Sequence, residues 1–409
     1  MAQKTIETRG KASKQGYLYI FLGIIIMMCL GTVYSWSVFR IHIENTFQIG
    51  STQSGLPYML SLAVFALFMI VTGRFLDKTN PRMIILVGGL LVGLGWFLSG
   101  FANNVYTLSL TYGIITGAGV GIVYGVPIAV VTRWFPKGNG IMVGLVLIGF
   151  GISPLVTAPL ARSLIEHYGI LTTFRILGLS FGFLIAALSL PFRYPDDASS
   201  RDQPTSAGTM GDENSINTSD MVKTTTFKGL YLSFFAGTTI GLMLIGMTSN
   251  VGVNLIGLPE QTVTLFMSLF AIFNGLGRPT FGLLTDKLSI RKAMLISFGL
   301  ILAAALLMLL PVEGNPVLFG FAFSIFWFNL GGWLAMAPAA TLALFGKRYY
   351  GQNYGLVYSA YGIGAITGVL SSGFLLDMIH NYDPIFYLVI VVCAAGIFTS
   401  QRMIKSSLP

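Results

Sequence analysis

The sequence predicts an all-α membrane protein of twelve transmembrane helices arranged as two pseudo-symmetric bundles of six. Three observations carry this prediction: a composition that cannot cover a water-soluble surface, twelve apolar runs of spanning length, and loop sequences that recur at matching places in the two halves. Of the 409 residues, 54% are hydrophobic and only 10% are charged. A soluble domain carries about 25% charged residues, so the solvent of this chain is largely lipid. The 49 glycines fit that solvent, because lipid supplies no hydrophobic drive between helices and close approach at small residues must replace it.

A spanning helix needs roughly 20 mostly apolar residues. In the first half such runs lie at about 17–39, 55–76, 83–101, 105–131, 141–162 and 170–192. The second half gives about 228–250, 261–284, 293–311, 316–344, 355–376 and 384–400. The first run is too long for the apolar core of a cleavable signal peptide and reads as the first span. Between the halves the chain turns to YPDDASSRDQPTSAGTMGDENSINTSD, rich in Ser, Thr, Asp, Gly and Pro, with almost nothing to bury. The expected organisation is therefore a tail over 1–16, a bundle over 17–192, a solvated linker over 193–227, a second bundle over 228–400 and a tail over 401–409.

Basic residues concentrate on cytoplasmic loops. With a cytoplasmic amino terminus, twenty of the 24 Lys and Arg residues fall on that side, which places both termini and the linker there. Arg40, Arg162 and Arg175 fall on the outer side, and Arg278 is left as the single basic residue within a span. The net charge of +9 thus reports topology and attraction to anionic lipid rather than nucleic-acid binding.

The halves are related by duplication. After the second run the chain reads GRFLDKTNPR (Gly73 to Arg82), and after the eighth it reads GLLTDKLSIR (Gly282 to Arg291), with Gly, Asp, Lys and Arg at equal offsets, 209 residues apart. A second pair, RWFPKGNG from Arg133 and RYYGQNYG from Arg348, follows the fourth and tenth runs. Gly73, Asp77, Arg82, Gly282, Asp286 and Arg291 read as a gating latch. In it, glycine admits a neighbouring helix and the Asp pairs with basic groups or helix N-termini in one state and releases them in another.

Arg278 carries the functional argument. A charge inside a span costs some 2.5–3.5 kcal/mol on insertion scales and marks a functional site by default. Two readings stand: a buried carboxylate anchor using the planar guanidinium fork, or a side chain snorkelling to the headgroups. Asn274, one helical turn away on the same face, favours the first. Tyr34, Tyr124, Asn329, Trp333 and Tyr361 are expected to complete the site, offering phenol and amide hydrogen bonds and aromatic walls. Gly113, Gly117, Gly121 and Gly125 put a smooth seam on the fourth span, and Pro127, Pro154, Pro159 and Pro338 are hinge candidates.

The acidic residues lie in loops, in the linker or near span ends, and His42, His167 and His380 lie at the outer side. Coupling is therefore expected to run through the substrate, by anion exchange or with a proton that moves beside the anion, with Asp377 near the outer end of span eleven as a candidate proton site. Cys29 and Cys393 read as two buried thiols. No cofactor or metal is expected, since no ligand cluster, nucleophile or phosphate loop stands out. An enzyme and an ATP-driven pump lose their basis with those motifs, and a channel lacks a continuous polar lining.

The chain resembles the major facilitator superfamily over essentially its whole length outside the tail and linker, on the two loops GRFLDKTNPR and GLLTDKLSIR. Within it, the chain is similar to the oxalate/formate antiporter family, related to the monocarboxylate porters. The residues that carry this are YSW at Tyr34, GAGVGIVYG from Gly117, RWFP at Arg133, NGLGR from Asn274 to Arg278, and FGKRYYGQNYGLVYSAYGIG from Phe345. The resemblance implies the major facilitator fold and alternating-access transport of small carboxylates by a monomer in the inner membrane. Two departures bear on the substrate. The lysine of oxalate carriers in span eleven is replaced by Tyr361, and the Asp that proton-coupled animal monocarboxylate porters place four residues before the arginine is replaced by Asn274. One cation implies one carboxylate, as in lactate or pyruvate, with an oxalate/formate-type antiporter or a carrier of a neutral solute as the alternatives.

Overall fold

The computed structural model describes residues 2–76, 79–135, 139–195, 215–311, 313–346 and 348–404. Those residues form twelve long helices, and no strand occurs among them. Eleven are long and apolar enough to cross a membrane: Gln15–Phe47, Ser51–Gly73, Pro81–Ser99, Val105–Trp134, Met142–Tyr168, Ile170–Ser189, Thr225–Gly246, Ile290–Leu307, Pro316–Phe345, Tyr350–Ile379 and Asp383–Met403. The twelfth, Glu260–Leu288, has 29 residues. It carries Glu260, Asn274, Arg278, Asp286 and Lys287, so its mean hydropathy falls below that of the others. The least apolar of the twelve is the helix that holds Arg278. Numbered in chain order, it is span eight.

An even number of spans puts both ends of the chain on one face, here termed the terminal face. Local sequence sets several span starts. Asn80 accepts from the Arg82 N–H ahead of Pro81, and Asn315 accepts from Val317 and Leu318 ahead of Pro316. Proline in the first turn has no N–H to lose there, and the Asn side chain satisfies orphan donors.

Four expectations change. The first span does not stop near residue 39 but runs on to Phe47, so Arg40 lies in a helix and is 1% exposed rather than in an outer loop. Arg278 is thus one of two buried arginines in spans. The amino-terminal tail is itself helical, since the helix begins at Ala2. The end of the expected solvated linker is also ordered. A short helix forms at Thr218–Met221, span seven starts at Thr225, and Met221 is fully buried. Asn353 of span eleven fastens this segment, donating to the Ile216 carbonyl at 2.9 Å and accepting from Thr218 at 2.7 Å. Finally, Pro127, Pro154, Pro159 and Pro338 all sit within continuous helix. The irregular turns lie elsewhere, as a 3-10 segment at Gly31–Ser35 in span one and π-helical segments at Ser109–Thr116 in span four and Val251–Leu255 in span seven.

The glycine seam of span four packs on span two. A Cβ on Gly117 would lie 2.9 Å from Ser61 Cα, and one on Gly121 2.7 Å from Phe68 Cβ, so only glycine permits this backbone approach. Gly125 differs, with no atom within 4 Å of its missing Cβ. The first six spans meet the last six chiefly along two helix pairs, two against eleven and five against eight, with the end of span one also touching span seven. This seam positions the site.

Candidate functional site

Arg278 lies ten residues before the end of span eight, about 15 Å of helix rise from that terminus. It is 4% exposed, enclosed by protein rather than reaching for a headgroup. Its Nη1 donates to the Leu147 carbonyl of span five at 2.5 Å, across the seam. Among the described residues, Nε and Nη2 have no hydrogen-bond partner. The Tyr124 hydroxyl lies close enough to interact with the guanidinium; an unsatisfied buried cationic donor is expensive, so the nitrogens that meet no acceptor in good geometry can take one from a ligand.

Asn274 sits one turn earlier and is fully buried. Its Nδ2 donates to the Trp327 carbonyl at 3.0 Å, while Oδ1 is left without a partner. Gly151 of span five closes this corner, because a Cβ there would lie 2.8 Å from Asn274 Oδ1 and 3.3 Å from Arg278 Nε. Gly151→Ala is therefore expected to overpack the corner by about 1–3 kcal/mol. Thermal unfolding of the purified variant should show the loss, together with weaker ligand stabilisation than in the parent.

Tyrosines surround the guanidinium. Tyr34, Tyr124, Tyr354 and Tyr358 all lie within its electrostatic reach. Tyr34 of span one and Tyr361 of span eleven share a hydrogen bond of 3.0 Å between their hydroxyls, again across the seam. Phe150 meets Tyr34 and Tyr124 edge to face at 5.1 and 5.3 Å, and Phe65 meets Tyr361 at 5.9 Å. The result is a packed cluster of aromatic rings and hydroxyls around one buried cation.

Of the expected site residues, the structure therefore brings together Arg278, Asn274, Tyr34, Tyr124 and Tyr361. Asn329 and Trp333 do not join them. Asn329 accepts from Ser297 at 2.7 Å and donates to the Ile325 carbonyl, which makes it a contact between spans nine and ten. Trp333 packs on Phe298 at 5.0 Å and against Gly237, inside the second set of spans. Both were chosen because span ten is aromatic and amide-bearing, and the helical face decided otherwise. Tyr354 and Tyr358 were missed, though their spacing with Tyr361 on one helix face was readable. Gly151 and Phe150 carry no signal of their own in the sequence.

The described latch residues make no ion pair here. Gly73 and Gly282 have no atom within 4 Å of a Cβ position, so neither admits a close helix neighbour in this state. Asp286 is exposed, and among the described residues neither it nor Arg291 has an ion-pair partner. Arg82 uses its backbone N–H to complete the Asn80 cap, and Asp77 lies outside the described residues. Asp377 is engaged instead, accepting the backbone N–H groups of Ser51 at 2.8 Å and Thr52 at 2.9 Å. Cys29 and Cys393 are both buried and free. Among the described residues no group of three His, Cys, Asp or Glu side chains could hold a metal.

The same architecture and sequence pattern occur in known proteins. The family model of the Major Facilitator Superfamily matches residues 20–255 and 229–404. The oxalate:formate antiporter of Oxalobacter formigenes is 30% identical over 355 residues, 86% of this chain and 83% of that one. The human monocarboxylate transporter 12 is 25% identical over 332 residues, covering 74% of this chain and 64% of the relative. A solved structure of a bacterial homolog to the human lysosomal transporter Spinster, inward-facing and occupied, superposes with a TM-score of 0.71 at 16% identity, over 95% of this chain and 97% of that one. With the family model spanning nearly all the helices and the antiporter aligned along most of its length, the chain belongs to the Major Facilitator Superfamily.

Proposed function

We propose that the protein is a secondary carrier for small monocarboxylates such as lactate or pyruvate, working by alternating access from the cytoplasmic membrane with both termini in the cytoplasm. The observation that carries this reading is the buried guanidinium of Arg278, two of whose nitrogens meet no acceptor in good geometry, set among tyrosine hydroxyls. A carboxylate accepts from such a fork in two parallel bonds, and the phenol hydroxyls give further donors. A single cation balances a single negative charge, which favours a monocarboxylate over oxalate. The likeness to the oxalate:formate antiporter and to monocarboxylate transporters supports the carboxylate class. Proton movement, in this reading, accompanies the substrate or is replaced by exchange of one anion for another. Asp377 contributes here as a contact between helices, accepting the backbone N–H groups of Ser51 and Thr52.

Counterflow tests it. Liposomes loaded with unlabelled lactate should accumulate labelled lactate or pyruvate saturably, and a neutral sugar should not compete. A carrier that exchanges sugar at least as well as lactate, or that prefers oxalate to every monocarboxylate, overturns the reading.

A further inference from the structure

Away from Arg278, the face opposite the termini carries charges set against helix ends. Span seven is interrupted there. Its regular helix closes at Gly246, and the chain continues through Thr248–Asn250 into the π-helical segment. A helix that stops leaves carbonyls without partners and a partial negative charge. Arg40 of span one meets this end, its Nη1 donating to the Gly246 carbonyl at 3.1 Å. The rest of its guanidinium is held by span two, with Nη2 on the Ser51 carbonyl at 2.5 Å and Nε on Ser54 Oγ at 2.9 Å. Glu44, one turn further along, lies 3.4 Å from Nε and takes hydrogen bonds from Ser54 at 2.6 Å and Asn250 of span seven at 3.2 Å.

The reverse contact runs the other way over the same seam. Span two begins at Ser51, where its first N–H groups are free and the helix end is partly positive. Asp377, near the end of span eleven, accepts two of them. Gly50 makes room, since a Cβ there would stand 2.8 Å from Asp377 Oδ1. A cation from the first six spans thus docks on a helix C-terminus of the last six, and an anion from the last six docks on a helix N-terminus of the first six.

We propose that these two contacts form one latch that holds the opposite face shut, and that Glu44 is the positioning residue keeping the Arg40 guanidinium on the end of span seven. Rocking the two halves apart breaks the Gly246, Asn250 and Asp377 bonds together. The Arg40–Glu44 pair and its bonds to Ser51 and Ser54 stay within the first half.

The inference rests on the alternating-access reading, and a labelling experiment separates the two. Ser249 is 6% exposed and lies at 3.4 Å from Ser37 across the closed seam. Ser249→Cys in a Cys29→Ala, Cys393→Ala background is reacted with a membrane-impermeant maleimide, applied from either face of oriented vesicles. The parent should label slowly from the opposite face. Asp377→Asn, Arg40→Gln and Gly50→Ala should each raise that rate tenfold or more, Gly50→Ala doing so with every charge retained. Gel filtration reports folding, and should Arg40→Gln misfold, the two surface-end variants carry the test. Parental rates in the folded variants overturn the latch. Equal rates from both faces in the parent, unaltered by any monocarboxylate, overturn alternating access instead.

Discussion

Arg278→Gln should abolish saturable carboxylate binding, weakening it by about 100-fold or more. A charge-assisted hydrogen bond to an anion contributes about 1.5–3 kcal/mol, and the fork offers two nitrogens that meet no acceptor in good geometry. Glutamine keeps some length and one donor but removes the charge, so a carboxylate at the site would be buried unpaired. Arg278→Lys retains the charge without the planar geometry and should recover part of the affinity, leaving a loss of about tenfold. Thermal-shift titration of purified protein with lactate and pyruvate measures both, and liposome uptake should fall in parallel. Variants that bind and transport these anions at parental levels would place the substrate elsewhere.

Tyr361→Lys should turn the preference toward dianions. Tyr361 is fully buried and its hydroxyl holds Tyr34 across the seam, so an ammonium there adds a second cation to the same cluster. Two unit charges about 8 Å apart at an effective dielectric of about 20 attract by about 2 kcal/mol, or some thirtyfold in affinity. Oxalate should gain by that order while lactate gains little. The loss of the Tyr34 bond should lower stability in the absence of ligand, and oxalate should restore it. The readout is the ratio of oxalate to lactate protection in the same thermal titration. A ratio unchanged from the parent would mean that residue 361 does not face the ligand.

The architecture was legible because lipid imposes it: long apolar helices and basic loops are the only way to satisfy a backbone in a membrane. Arg278 and Asn274 were legible for the same reason, as polar groups where polarity is costly. Arg40 was not. Its place within seven residues of the end of span one reads as a loop by hydropathy, and only the partners Ser51, Ser54 and Gly246, distant in sequence, make burial affordable. Asn329 and Trp333 were misplaced because composition names a helix's contents and not which side of it faces the seam. Tyr354 and Tyr358 show the reverse, where attention to a helical repeat would have placed them beside Tyr361.

The seclusion of Arg278 bears on how the carrier responds to voltage. Moving one elementary charge through the full membrane potential is worth about 2.3 kcal/mol per 100 mV. Around Arg40 the opposing charge of Glu44 belongs to the same helix, so that pair travels as a neutral unit. Arg278 has no such companion among the described residues. Under the proposed monocarboxylate function, the empty site would shift a net positive charge relative to the field as access changes, and the loaded site none. The loaded step would then be electrically silent, and the return of the empty carrier would be the one a membrane potential hurries or holds back.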